Sequence, residues 1–243
     1  VDMGLIIKAM KKTRPTILPA VPPVYRRLMD VAKEQGISLQ GVRYAVSGAM
    51  NLPPELVAEW EEASGGYMVE GYGLTECAPL VSCNPLNDTR RAGSIGIPFP
   101  STDIRVVDPE TLQDVPLGEE GELWVYGPQC FAGYWKREED TQKTITADGW
   151  LRTGDIVRLD EDYFIQIVDR IKEVIITGGF NVSPTEVETA LKQHDSVADA
   201  AVVGIPQASG GEMVVAAVIP AEGHAVDEHA LREHCYARVT RYK

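Results

Sequence analysis

The chain has 243 residues, 44% of them hydrophobic and 24% charged, with a formal net charge of −13. That length and apolar content suit one large domain or two smaller ones around a real core. A surface so acidic repels phosphate backbones and anionic lipid head groups, which argues against nucleic-acid binding but not against a local site for one nucleotide.

The four cysteines, Cys77, Cys83, Cys130 and Cys235, show no CxxC spacing. They read as reduced thiols of a cytoplasmic protein. His194, His224, His229 and His234 form no metal-ligand pattern and read as surface residues. No apolar run approaches the roughly 20 residues that span a bilayer. Val1-Asp2-Met3-Gly4 is no signal peptide, and together with the close at Thr240-Arg241-Tyr242-Lys243 it reads as cut from a longer chain.

Helices and strands alternate first. Pro22-Pro23 opens an amphipathic helix with Val24, Leu28 and Val31 at helical spacing, and residues 42–46 form a strand ending at Ser47-Gly48-Ala49. A second helix starts near Pro53-Pro54 with Leu56, Trp60 and Ala63 on one face. Tyr67-Met68-Val69 then leads into a turn at Gly71-Tyr72-Gly73. This alternation predicts a partial parallel-sheet α/β layer, whose sites collect at the carboxyl ends of strands.

From about Gly93 the texture changes to short strands, at 104–107, 122–126, 156–159 and 164–168. Asp108-Pro109, Leu117-Gly118 and Asp148-Gly149 punctuate them, which predicts a small β-barrel-like subdomain. A third texture follows. Residues 174–176, 198–203 and 213–219 read as strands, and a last helix starts near Asp227. Ser183-Pro184-Thr185-Glu186 is a complete helix start, with Ser as N-cap, Pro at N1 and Glu at N3; Val187 and Leu191 then face inward. The expected division is 1–95 for the α/β layer, 96–169 for the β subdomain and 170–243 for a small, truncated α+β domain.

Three polar elements bear chemistry. In Gly71-Tyr72-Gly73-Leu74-Thr75-Glu76 the glycines let backbone approach a ligand, a ring can stack on a purine, a hydroxyl can bond a phosphate oxygen, and a carboxylate can hold Mg²⁺. In Trp150-Leu151-Arg152-Thr153-Gly154-Asp155 a carboxylate at a strand start can accept a ribose diol. Asp169-Arg170-Ile171-Lys172-Glu173, followed by Thr177-Gly178-Gly179-Phe180-Asn181, is a charged cluster with a glycine loop. Each taken alone is more often ordinary structure: a Gly-rich turn, a turn aspartate, a solvated boundary.

Their order and spacing over the whole chain resemble the acyl- and aryl-CoA synthetase, luciferase and peptide-synthetase adenylation superfamily. The run from Asp169 through Gly179-Phe180-Asn181-Val182-Ser183-Pro184 to Glu186-Val187-Glu188 resembles the long-chain fatty acyl-CoA ligases most, as does Ala92-Gly93-Ser94-Ile95-Gly96-Ile97-Pro98-Phe99-Pro100.

The resemblance implies a ligase that activates a fatty acid or other carboxylic acid with ATP and Mg²⁺, then passes the acyl group to CoA and leaves AMP. It implies catalytic roles for Thr75, Glu76 and Lys172, with Glu76 as metal ligand and Lys172 as hinge. Nucleotide and acyl contacts are implied for Gly48, Ala49, Glu70, Gly71, Tyr72, Gly73, Thr75, Asp155 and Arg170, with Tyr72 stacking on the adenine and Asp155 holding the ribose. Gly178-Gly179 is implied to meet the pantetheine. Val21, Pro22, Pro23 and Tyr25 match a segment that walls the acyl site.

Two family segments are not found in these residues: the Gly/Ser/Thr-rich phosphate loop and the lysine of the small domain, which lies downstream of Lys243. The chain alone is therefore expected to lack ligase activity, and its uncovered apolar faces are expected to be covered by self-association or by a complementary chain. Aryl- or medium-chain acyl-CoA ligases, a carrier-loading adenylation domain and a non-catalytic nucleotide-binding module stay open. So does peripheral contact with a membrane.

Overall fold

The computed structural model describes residues 2–171, 173–177, 180–207 and 212–240, with Asn181 described for its backbone alone. The chain divides into two compact units, Val1–Thr153 with Val157–Ile167, and Gly154–Ile156 with Val168–Lys243.

The first unit opens with α1 (Met3–Thr13), which the sequence reading did not name; Asp2 caps it and Met3, Ile7 and Met10 are its buried face. Strands β1 (Ile17–Ala20), β2 (Tyr44–Ser47) and β3 (Tyr67–Gly73) pair in parallel through helices α2 (Pro22–Glu34) and α3 (Pro54–Ser64). Parallel neighbours need such crossovers, so the alternating pattern dictates this sheet. Strands β4 (Leu80–Cys83) and β5 (Ile97–Pro98) extend it in antiparallel sense.

Helix α2 buries Pro22, Tyr25, Leu28 and Ala32, while Val24 and Val31 pack at the margin. In α3 the expected face is right at Leu56 and Trp60 but not at Ala63, which is exposed; Ser64 is buried instead. The i, i+4 step from Trp60 follows the stripe better than i+3 at this end. Trp60 and Tyr25 are fully buried and meet edge to face at 4.8 Å. Truncating a ring packed so costs about 3–5 kcal/mol. The Tyr25 hydroxyl donates to Leu18 O at 2.5 Å and Val46 O at 3.0 Å, tying β1 to β2. Tyr25 is thus a buried structural tie between these strands.

Strands β6 (Asp103–Val107), β7 (Glu120–Tyr126), β8 (Leu151–Leu159) and β9 (Ile165–Arg170) follow one another in a four-stranded sheet. The expected barrel-like subdomain is this open sheet, with β6 and β9 at its edges and the short α4 (Glu138–Thr144) between β7 and β8. A core of Tyr72, Cys77, Val81, Ile95, Leu123, Val125, Leu151 and Ile165 lies in this unit.

In the second unit β10 (Ile175–Thr177) and β11 (Phe180–Val182) form one antiparallel pair, and β12 (Val197–Pro206) and β13 (Glu212–Pro220) another. Helix α5 (Pro184–Lys192) starts as the sequence predicts: Ser183 accepts the Glu186 amide at 3.2 Å and Pro184 opens the first turn. Helix α6 (Glu228–Tyr236) is capped by Asp227. His194 and His234 correct the surface assignment. Their rings meet edge to face at 4.9 Å and His234 Nε2 reaches Ala190 O at 3.0 Å, because α6 packs on α5. His224 and His229 are exposed as expected.

Candidate functional site

In the first unit, β2 ends at buried Ser47, where Ser47 pairs with Glu70 of β3. Gly71, Tyr72 and Gly73 therefore run past the end of β2, and pair with β4 on their other side. The expected turn at these glycines is extended strand. Their small size serves close approach: a Cβ on Gly73 would sit 1.9 Å from Pro79 O, and one on Gly48 would sit 3.3 Å from Gly71 O. Gly48 and its neighbour Ala49, held at φ 65°, thus let two strand ends come together. The Ser47 hydroxyl has no hydrogen-bond partner among the described residues.

Glu70 is buried beneath this edge, and its Oε1 accepts the Leu52 amide at 3.1 Å. Burial raises its carboxyl to about 7, against the smaller opposing pull of that amide. Tyr72 is also buried, within the second core cluster.

The actual turn follows as one 3₁₀ turn, Thr75–Cys77, pinned by Leu74 donating to Pro79 O at 2.8 Å. Thr75 is exposed and Glu76 half-buried. Glu76 is held twice by a distant loop. Its carbonyl accepts the Phe131 amide at 2.7 Å, and its Oε1 accepts the Tyr134 hydroxyl at 2.6 Å. The bond to Glu76 raises the phenol above its ordinary value, so Tyr134 stays a donor. Sequence reasoning missed Tyr134; the signal available was the Gly133-Tyr134-Trp135 run between two predicted strands.

Glu76 suits Mg²⁺ as a single hard ligand, since that ion keeps several waters and uses one or two carboxylates beside substrate phosphates. Among the described residues no group of three His, Cys, Asp or Glu side chains is poised for a metal. Cys77 beside it is buried, with its thiol pushed up to about 12 mainly by that burial.

A second residue that sequence reasoning missed is Glu122, a buried carboxylate in the first unit. Its buried Oε2 accepts Trp124 Nε1 at 2.8 Å and Arg152 Nη2 at 3.0 Å, while Thr153 donates to Leu123 O at 2.8 Å. A buried carboxylate is retained where several donors converge on it.

In the second unit Asp155 lies in the middle of β8, not at a strand start as expected. It is buried and accepts Arg170 Nε at 2.9 Å, while Arg170 itself is largely exposed. The Ile171 amide donates to Gly154 O at 2.8 Å. Asp169 accepts the Arg170 amide on Oδ1, and its buried Oδ2 has no partner among the described residues. Lys172, Gly178 and Gly179 lie outside the described residues.

Comparison with known sequences shows the class: the chain belongs to the AMP-binding enzyme family. The family's sequence model matches residues 1–135, and that of the AMP-binding enzyme C-terminal domain matches 186–243. The chain is similar to a long-chain-fatty-acid–CoA ligase of Yersinia pestis, 39% identical over all of this chain and 42% of that protein. It is also similar to ATP-bound MatB from Rhodopseudomonas palustris, 34% identical with a TM-score of 0.88, covering 100% of this chain and 48% of that one. A third relative is the o-succinylbenzoate CoA synthetase MenE of Bacillus subtilis in complex with its acyl-adenylate intermediate OSB-AMP, 26% identical with a TM-score of 0.83, covering 100% and 48%. The chain thus spans less than half the length of the relatives it matches. Among the described residues, no helix is long and apolar enough to cross a membrane.

Proposed function

We propose that this chain is part of an AMP-forming acyl-CoA ligase acting on fatty acids, long-chain ones foremost. In the first half-reaction a carboxylate oxygen attacks the α-phosphate of ATP, giving an acyl-adenylate and pyrophosphate. In the second the CoA thiol attacks the acyl carbon, loses its proton and releases AMP. The observation that carries this reading is the Thr75–Cys77 turn, which presents an exposed hydroxyl beside a carboxylate already oriented on one oxygen by Tyr134.

Mg²⁺, when bound, neutralises phosphate charge at Glu76. Thr75 holds a phosphate or carboxylate oxygen by its hydroxyl. Gly48, Ala49, Glu70, Gly71 and Gly73 shape the nucleotide and acyl pocket with close-set backbone, and Tyr72 stacks on the adenine. Asp155, oriented by Arg170, accepts the ribose hydroxyls. Such fixed polar groups act mainly by positioning and by stabilising developing charge. Lys172 serves as the hinge between half-reactions, and Gly178-Gly179 admits the pantetheine of CoA. The three segments 1–95, 96–169 and 170–243 are the domains we assign. The protein works in the cytoplasm, with peripheral contact where its lipid substrate partitions, and self-associates.

Support for the fatty-acid substrate is the relative of that name. A second reading, a ligase for another carboxylic acid, draws on MenE. ATP–pyrophosphate exchange by the longer protein across palmitate, octanoate and 4-coumarate separates the two: exchange fastest with palmitate is expected, and preference for 4-coumarate refutes the fatty-acid assignment. In the same assay Asp155→Ala raises the KM for ATP about tenfold, the loss of one charge-assisted hydrogen bond. An unchanged KM removes Asp155 from the nucleotide site. A Lys172→Ala variant impairs one half-reaction more than the other; equal losses remove the hinge role.

A further inference from the structure

Cys77 and Cys130 are 53 residues apart in sequence, yet their sulfurs lie 3.6 Å apart. Cys77 is fully buried at the end of the 3₁₀ turn, whereas Cys130 is partly exposed in the loop after β7. That loop is pinned where the cysteines meet. Phe131 donates its amide to Glu76 O at 2.7 Å, and Gln129 Nε2 donates to Thr102 Oγ1 at 2.8 Å and to Leu80 O at 3.3 Å. The Phe131–Glu76 bond joins two residues adjacent to the cysteines, so the thiols face each other across an already fastened seam. A disulfide has its sulfurs at about 2.05 Å, an approach of about 1.5 Å that small side-chain rotations can supply.

We propose that Cys77 and Cys130 are a modification site, a pair that forms a reversible intramolecular disulfide by exchange with a small-molecule disulfide. The ligand class is a low-molecular-weight disulfide such as oxidised glutathione, which reaches only the partly exposed partner. Cys130 loses its proton to water, and its sulfur displaces one glutathione thiolate, leaving a mixed disulfide on Cys130. Cys77 Sγ then attacks Cys130 Sγ as its proton passes to the departing glutathione sulfur, which leaves as a thiol. Two protein thiols are oxidised and one glutathione disulfide is reduced to two thiols. The new bond ties the turn carrying Glu76 to the loop carrying Tyr134. The other two cysteines, Cys83 and Cys235, are partly buried and have no second sulfur beside them among the described residues. With no neighbouring thiol to resolve it, glutathione on either would stay as a mixed disulfide.

The test is oxidised glutathione on the native protein, followed by acid quench, alkylation of remaining thiols under denaturing conditions, and non-reducing peptide mapping. The expected result is a linked peptide pair containing Cys77 and Cys130, lighter by two hydrogens than the separate peptides and lost on treatment with dithiothreitol. Cys130→Ser leaves Cys77 unmodified in the native protein, and Cys77→Ser leaves glutathione trapped on Cys130. Recovery of Cys77 as an alkylated thiol while Cys130 carries glutathione in the unmutated protein overturns the proposal. So does recovery of both as alkylated thiols under conditions that modify Cys83 or Cys235. The readout is covalent mass, so it stands or falls independently of the ligase assignment.

Discussion

Tyr134 donates its hydroxyl to Glu76 Oε1 across 2.6 Å, joining two residues 58 positions apart. The bond sets the direction of the carboxylate, whose other oxygen we propose meets the ligand. Removing the phenol oxygen in Tyr134→Phe keeps the ring on Phe131, whose centroid lies 4.8 Å away. We expect the fold to persist and affinity for Mg²⁺-ATP to fall about fivefold, equivalent to about 1 kcal/mol. Titration calorimetry measures this, and unchanged affinity means the phenol does not orient Glu76.

Glu70 makes stability depend on pH. Its folded value, about 7, lies above its ordinary 4.5, so the native chain holds a proton that the unfolded chain gives up between those values. This contribution is full below pH 4.5, is lost as pH rises to about 7, and stays lost above it. The amount at stake is about 3 kcal/mol. Glu70→Gln keeps an acceptor for the Leu52 amide without the charge. Urea unfolding should therefore show less decline between pH 4.5 and 7 in the variant, and greater stability at pH 8. Parallel curves for the two proteins contradict the assignment.

Gly73 has no room for a side chain. With Pro79 O only 1.9 Å from an added Cβ, Gly73→Ala must move backbone and cannot simply rotate a neighbour away. A loss of about 3 kcal/mol in unfolding free energy is expected. Gly118→Ala is the contrast, since nothing lies within 4 Å of its added Cβ, although φ there is +91°. If Gly73→Ala proves no worse than Gly118→Ala, crowding is not what selects glycine.

Ser183→Ala removes the side-chain acceptor from the first turn of α5. The cost expected is about 1 kcal/mol, and Ser183→Asp should restore most of it because aspartate caps as well. Chemical denaturation of the three proteins gives the comparison. Equal stability of the Ala and Asp variants would show the cap to be idle.

Much of the local architecture was legible along the chain. Ser183-Pro184 and Asp227 announce their helices because capping is a short-range bond between a side chain and an amide two or three residues on. The parallel layer followed from helices alternating with strands. The ordered motifs also made the family membership legible. Less legible was the phase at the end of α3, where exposed Ala63 and buried Ser64 reverse the hydrophobic expectation, since burial there depends on what packs opposite.

What the amino-acid order determined by itself was therefore whatever acts over a few residues: caps, strand and helix periods, and the ordered motifs that resemble the AMP-binding enzyme family. Tertiary structure alone decided that Gly71–Gly73 are extended and not turned, that Glu76 leans on Tyr134, and that Cys77 meets Cys130. The first outcome depends on pairing with nearby β4, and the other two on segments that chain folding brings together over more than 50 positions. Contact energies between such segments leave no periodic trace in sequence, because either partner reads as ordinary until the other is set beside it.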